Sequence, residues 1–179
     1  MFRLVKMVDH KTTEWAGGKT SEIFIWPADG NYSSREFDWR LSSATVEVPE
    51  SDFTSLEGFD RYITVLEGEL NLSHEDGVNH LINGNKVYGF GGGAKTHSIG
   101  KAKDFNLIYK SGEKCKMSRR ELERGQNVQL KISTGGFAAI YVVSGEVEVT
   151  LEKDKKEMSI HAMEIADIII CNNYDIMSI

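Results

Sequence analysis

The chain reads as all-β, a double-stranded β-helix of the jelly-roll kind built twice over. Three observations predict this. Apolar residues come in short runs broken by Gly, Asn and Asp; helical periodicity is nearly absent; and one hairpin signature occurs twice. The signature runs from Asp60 to Leu72 and again from Ala138 to Leu151, a strand, a Gly-Glu turn and a second strand. Val65-Leu66-Glu67-Gly68-Glu69-Leu70 aligns with Val142-Val143-Ser144-Gly145-Glu146-Val147, and the glycine supplies the backbone conformation of a tight turn. Second landmarks follow at Asn83-Gly84-Asn85-Lys86-Val87 and Ala166-Asp167-Ile168-Ile169. A single open set of hairpins neither buries its apolar face nor protects its edges, so the repeat implies two equivalent barrel halves.

Taken in order, the strands of the first half are expected at Phe2–Val8, Ser21–Pro27, Phe37–Val48, Arg61–Glu67, Leu70–His74, Asn79–Leu81, Lys86–Phe90 and Phe105–Tyr109. Both prolines fall at or near strand ends, where their missing N–H removes no ladder bond. Ser111-Gly112-Glu113-Lys114 is a polar break that divides the chain into halves 1–110 and 111–179. Beyond it strands are expected at Val128–Ile132, Ala138–Ser144, Glu146–Leu151, Glu157–His161 and Ile165–Cys171. Ser118 to Arg124 reads as a solvated linker, the alternative being a helical turn with Ser118 and Glu121 forming a capping box.

Composition excludes several functions. Across 179 residues, 27 Asp and Glu outnumber 21 Lys and Arg, giving a net charge of −6, which argues against nucleic-acid partners and acidic membranes. Arg3 and Lys6 interrupt the apolar N-terminus well short of a signal peptide or a membrane span, so a cytoplasmic location is expected. Cys115 and Cys171 stand alone and read as free thiols, Cys171 buried.

Four ordered motifs lie between Glu14 and Tyr109: Glu14-Trp15-Ala16-Gly17-Gly18-Lys19-Thr20-Ser21-Glu22, Phe37-Asp38-Trp39-Arg40-Leu41-Ser42-Ser43-Ala44-Thr45-Val46, the run from Ser51 to Arg61, and Lys103-Asp104-Phe105-Asn106-Leu107. In these the chain resembles the HutD/Ves family of the cupin superfamily, and the paired hairpins look like two cupin modules in tandem, a bicupin. The resemblance implies a small-molecule-binding protein, a sensor or accessory protein in histidine utilisation or stress response. Amino-acid catabolites such as formylated or amidated glutamate derivatives are the ligands it suggests.

Metal-binding cupins carry two His and a Glu just before the first hairpin and a further His after the second landmark. Here Arg61 stands seven residues before Gly68, at the place of the Glu, and Ala138 stands at the equivalent place in the second half. Ser55 and Glu57 replace the two histidines. A guanidinium only donates hydrogen bonds and does not ligate a cation, so no metal and no other cofactor is expected, with His97 the lone candidate for a surviving ligand.

The same cavity suits an anion. Arg61 shares a strand face with Ile63 and Val65, while Arg40 and Ser42 share one face of their strand and Trp39 and Leu41 the other. Arg40 and Arg61 together are placed to grip one carboxylate, or else to pair internally with Glu22, Asp60 or Asp104. Trp15 to Glu22, with Gly17-Gly18 at its centre, reads as a loop approaching a ligand or a plain turn, and Asp104 and Asn106 share one side of their strand. The ligand-binding candidates are therefore Trp15, Thr20, Glu22, Trp39, Arg40, Ser42, Asp60, Arg61, Asp104 and Asn106, and the expected partner is a small carboxylated metabolite. Two rival readings stand beside this one. The first is an isomerase or hydrolase with Glu22, Asp60 or Asp104 as general base; the second is a structural protein whose second half forms a homodimer.

Overall fold

The computed structural model describes residues 3–132, 136–152 and 156–173. Among them the regular structure is β-strand apart from one short 3-10 turn, Met7–Asp9, and no helix is long and apolar enough to cross a membrane. The chain divides into two compact units, residues 1–112 and 113–179.

The first unit contains β1 (Lys11–Trp15), β2 (Gly18–Trp26), β3 (Trp39–Val46), β4 (Glu50–Asp52), β5 (Phe59–Gly68), β6 (Leu70–Ser73), β7 (Asn79–Ile82), β8 (Val87–Gly91), β9 (His97–Ile99) and β10 (Ala102–Lys110). Six strands form one antiparallel sheet in the order β1-β2-β3-β10-β5-β8, and four form another in the order β4-β9-β6-β7. Alternation along the strands decides what lies between them. Ile63 and Val65 from the larger sheet meet Leu70, Leu72 and Ile82 from the smaller, all at most 2% exposed. Phe37, Leu56, Phe59 and Ile108 close one end of this core, with the Phe37 and Phe59 rings stacked 4.5 Å apart.

The second unit contains β11 (Lys116–Leu122), β12 (Asn127–Lys131), β13 (Ala138–Ser144), β14 (Val147–Glu152), β15 (Glu157–Ala162) and β16 (Ala166–Asn172). Two three-stranded sheets, β11-β16-β13 and β12-β15-β14, bury Leu130, Ile160, Ile168 and Ile170.

Four expectations from the sequence are corrected. Among the described residues the sheets stay open instead of closing into barrels, because no ladder joins their edge strands. Residues 3–10 hold no strand, since Leu4, Met7 and Val8 are exposed and no neighbouring strand covers them; Phe2 lies outside the described residues. Of the two readings of Trp15 to Glu22, the ligand-approaching loop is corrected and the turn ahead of a strand holds, as the turn and the start of β2 in the β1–β2 hairpin. Residues 118–122 belong to β11, neither linker nor helix, because pairing with β16 satisfies the backbone while Met117 and Leu122 are buried and Arg119 pairs with Asp167.

The two units share a strand plan. β3-β10-β5 and β4-β9-β6 in the first correspond, strand for strand, to β11-β16-β13 and β12-β15-β14 in the second. The hairpin signature is matched down to its irregularity. Pairing skips Leu66 between Lys103↔Glu67 and Asp104↔Val65, and skips Val143 between Asp167↔Ser144 and Ile168↔Val142. After each bulge comes a glycine with positive φ, +79° at Gly68 and +82° at Gly145, pressed against the backbone before Ala102 and Ala166 respectively. Ala166 therefore corresponds to Ala102, not to the Asn83 region that the sequence had matched to it. β7 and β8 have no counterpart in the second unit, which explains the mismatch.

A side chain at Gly68 would meet two obstacles, the left-handed φ and a Cβ only 2.5 Å from the Lys101 carbonyl oxygen. Gly77 shares the first, with φ +72°, but has open space around it. Gly68→Ala is expected to cost about 2–3 kcal/mol in urea unfolding and Gly77→Ala about 1 kcal/mol. Equal losses at the two positions would show that the close approach at Gly68 contributes nothing.

Candidate functional site

The registers of β3, β10 and β5 place side chains on the inner face of the larger sheet in three rows. Arg40, Ile108 and Arg61 form the first, Ser42, Asn106 and Ile63 the second, and Ala44, Asp104 and Val65 the third. Apart from Ile63 and Val65, these residues floor a cavity of about 260 Å³, rimmed by Trp15 and Thr20 of the β1–β2 hairpin and walled by Tyr32, Phe53 and Thr54. All of its lining belongs to the first unit.

The two arginines differ in how they are held. Arg40 donates from Nε to Glu22 at 2.8 Å and from Nη1 to the Ser42 hydroxyl at 3.1 Å, and its guanidinium lies 4.2 Å over the Tyr32 ring. Its charge is matched by a partner. Arg61 lies over Phe53 and Phe90, at 5.1 and 5.5 Å, and donates from Nη1 to the Thr54 carbonyl at 3.3 Å. Among the described residues no carboxylate pairs with it, and its buried Nε has no hydrogen-bond partner. Burial pulls its pKa down, yet a guanidinium remains protonated in a protein, so an unmatched positive charge sits in the cavity wall.

Asp104 is buried beside it. Its Oδ1 accepts the Ala44 N–H at 3.2 Å and the Asn106 amide at 2.6 Å. Burial pushes the carboxyl up from 3.8 to about 7, against the pull of the Ala44 N–H, Arg61 and Asn106. Asn106 Oδ1 is buried without a partner.

Of the sequence candidates, Trp15, Thr20, Arg40, Ser42, Arg61, Asp104 and Asn106 are brought together around the cavity. Glu22 stands behind Arg40 as its counter-ion. Trp39 is on the opposite face of β3, stacked 5.1 Å from Phe24, and Asp60 alternates away from Arg61 on β5. His97 is outside the cavity, its Nδ1 2.8 Å from Asp52 and its Nε2 3.7 Å from Glu50. Tyr32, Phe53 and Thr54 were missed. Phe53 and Thr54 lie inside a quoted motif, and only the folded position of Arg61 over the Phe53 ring gives them a role.

In the second unit, the same rows read Lys116, Asn172 and Ala138, then Ser118, Ile170 and Ile140, then Arg120, Ile168 and Val142. Alanine replaces Arg61, and isoleucines replace Asp104 and Asn106. The first unit's cavity also suits a divalent cation poorly, because its two guanidiniums only donate, and no cluster of three or more metal-ligating side chains forms among the described residues.

A carboxyl whose folded pKa lies above its unfolded value stabilises the fold below the unfolded pKa and loses that contribution as pH rises through the folded one. For Asp104 this window runs from about pH 4 to about 7, and the loss is at most about 4 kcal/mol. Asp104→Asn is expected to flatten this dependence, gaining stability over the unmodified protein at pH 8 but not at pH 4. Parallel unfolding curves for the two proteins across that range would refute the assignment.

The sequence model of the HutD family matches residues 7–177. No protein of curated function matches the chain. Among solved structures it is similar to the conserved protein of unknown function PA5104 from Pseudomonas aeruginosa PAO1, with 22% identity, 94% of this chain and 96% of that one covered, and a TM-score of 0.80. It is also similar to HutD from Pseudomonas fluorescens SBW25, with 25% identity, 94% of each chain covered and a TM-score of 0.66. The pirin YhhW from Escherichia coli, solved in complex with nickel(II), shares 11% identity over 94% of this chain and 96% of its own, with a TM-score of 0.69. The likeness to PA5104 and to the pirin is one of fold, all-β and cupin-like.

Proposed function

The chain belongs to the HutD family, and from that premise we propose that it is a metal-independent small-molecule-binding protein that holds a carboxylated metabolite in the cavity of its first unit. Arg61 carries the proposal. A buried guanidinium with an unpaired Nε and no carboxylate partner calls for an anion, and a carboxylate matches its planar donors. Arg40 and Ser42 are the second point of contact, Asp104 and Asn106 line the floor, and Trp15 and Thr20 stand at the rim. The shared strand plan, with its repeated bulge and glycine, supports a bicupin duplication in which isoleucines replace Asp104 and Asn106 in the second unit. The family context supports a role as sensor or accessory protein in histidine utilisation.

One observation favours an isomerase or hydrolase, the Asp104 carboxyl held near 7, where proton transfer is efficient. The second carboxylate of the cavity lining, Asp52, is engaged by His97 Nδ1 at 2.8 Å. Glu22 is engaged with Arg40, Asp60 faces away, and His97 is held outside by Asp52.

The HutD structure from P. fluorescens was determined in a formate condition, so formate and propionate are suitable first probes for calorimetric titration. Binding to the unmodified protein is expected, with Arg61→Met weakening it about 30-fold, the size of one charge-assisted hydrogen bond. Because Asp104 is neutral below about pH 7 and shares the cavity with the bound anion above it, affinity should fall between pH 6 and 8 by at most about tenfold per unit, and Asp104→Asn should remove the dependence. Absence of binding, or equal binding by Arg61→Met, would overturn the reading.

A further inference from the structure

Asn106 adds a requirement of its own. The orientation of its amide is fixed by Asp104, whose Oδ1 already accepts the Ala44 N–H. That oxygen only accepts while the carboxyl is ionised, and it remains an acceptor when the carboxyl is protonated on Oδ2, so the amide atom 2.6 Å away from it is the donor, Nδ2. Oδ1 of Asn106 is consequently the atom turned elsewhere. It is buried and without a partner, on a residue 5% exposed that lines the cavity. A buried amide oxygen left bare is costly, so what enters the cavity is selected by whether it supplies a hydrogen.

The placement of this acceptor relative to the arginines limits the ligand further. Asn106 is one row from Arg40 and Arg61 on the sheet face, about 7 Å along the strands, and diagonal to both. Arg40 shortens that span, because its Nη1 reaches into the Asn106 row, 3.1 Å from the hydroxyl of Ser42, the residue paired with Asn106. A group that satisfies Asn106 while its carboxylate meets a guanidinium is thus only a few bonds from the carboxylate.

Building on the carboxylate reading above, we propose that the cavity selects carboxylates bearing an N–H or O–H donor close to the acid group, with Asn106 Oδ1 as the specificity-determining acceptor. A plain alkanoate meets the arginines but strands Asn106 Oδ1 or leaves it to water. A hydroxy acid or an acylamino acid satisfies both. The cavity then discriminates by the cost of the unpaired acceptor, a stronger filter than the shape of its walls.

Matched pairs of acids test this by calorimetry on the full-length protein: propionate against lactate, which differ by a hydroxyl, and N-acetylglycine against N-acetylsarcosine, which differ by the N–H. The donor-bearing member of each pair is expected to bind at least about tenfold more tightly, the size of one neutral hydrogen bond. In Asn106→Leu that advantage should shrink below about twofold. If propionate binds and neither donor improves affinity, this proposal falls and the carboxylate reading survives. If no acid binds at all, both fall. Should Asn106→Leu fail to fold, the pairs measured on the unmodified protein decide alone.

Discussion

The burial of Arg61 is the constraint on which the first unit turns. Its position on β5 points the side chain between the two sheets, where a free charge is expensive, and the surrounding residues reduce that cost without cancelling the charge. Phe53 and Phe90 offer ring faces to the guanidinium, and the Thr54 carbonyl accepts one of its hydrogens. None of these is an anion. Arg40, two strands away in the same row, has been given Glu22. The contrast between one matched and one unmatched arginine makes the cavity asymmetric.

The second unit shows what the same strand plan does without that constraint. With Ala138 in place of Arg61, Ile168 and Ile170 stand where Asp104 and Asn106 stand in the first, while Lys116, Ser118, Arg120 and Asn172 keep the rest of that face polar. Burial of the two isoleucines stabilises the unit directly by the hydrophobic effect. The first unit forgoes that stabilisation at three neighbouring positions and holds a raised carboxyl besides. Such a local departure from good packing is what a binding site costs a fold.

Much of the fold was legible because strand alternation is a local signal, and the glycines of the two hairpins mark their turns. β5, β6, β13 and β16 lie within a residue or two of where the pattern put them. The failures have physical causes. β4 and β9 span three residues each, too few for alternation to register, and β11 is polar along most of its length because its stability comes from the β16 ladder and the Arg119–Asp167 pair. Of the site, the arginines, Ser42, Asp104 and Asn106 were readable from strand period alone. Trp39 and Asp60 were drawn in by proximity to them in sequence, and strand alternation places both on opposite faces from their arginine neighbours. Tyr32 was invisible, since its contact with Arg40 depends on how the chain returns between β2 and β3.

Asp104 ties these elements together, because it answers to both of its neighbours on the sheet. The Ala44 N–H and Asn106 hold one of its oxygens, and Arg61 draws its pKa down while burial drives it up. Were the carboxyl firmly ionised, it would serve as the missing counter-ion and the cavity would repel acids. Held near 7, it is poised between that role and a neutral one, so the site's charge depends on what occupies it. An entering carboxylate would favour the protonated form, and the proton taken up would leave the Arg61 charge for the ligand. Asn106 keeps its acceptor through this change where the proton is taken up on Oδ2, leaving Oδ1 as the carbonyl oxygen. On the proposed reading, charge recognition by Arg61 is thereby linked to pH through Asp104.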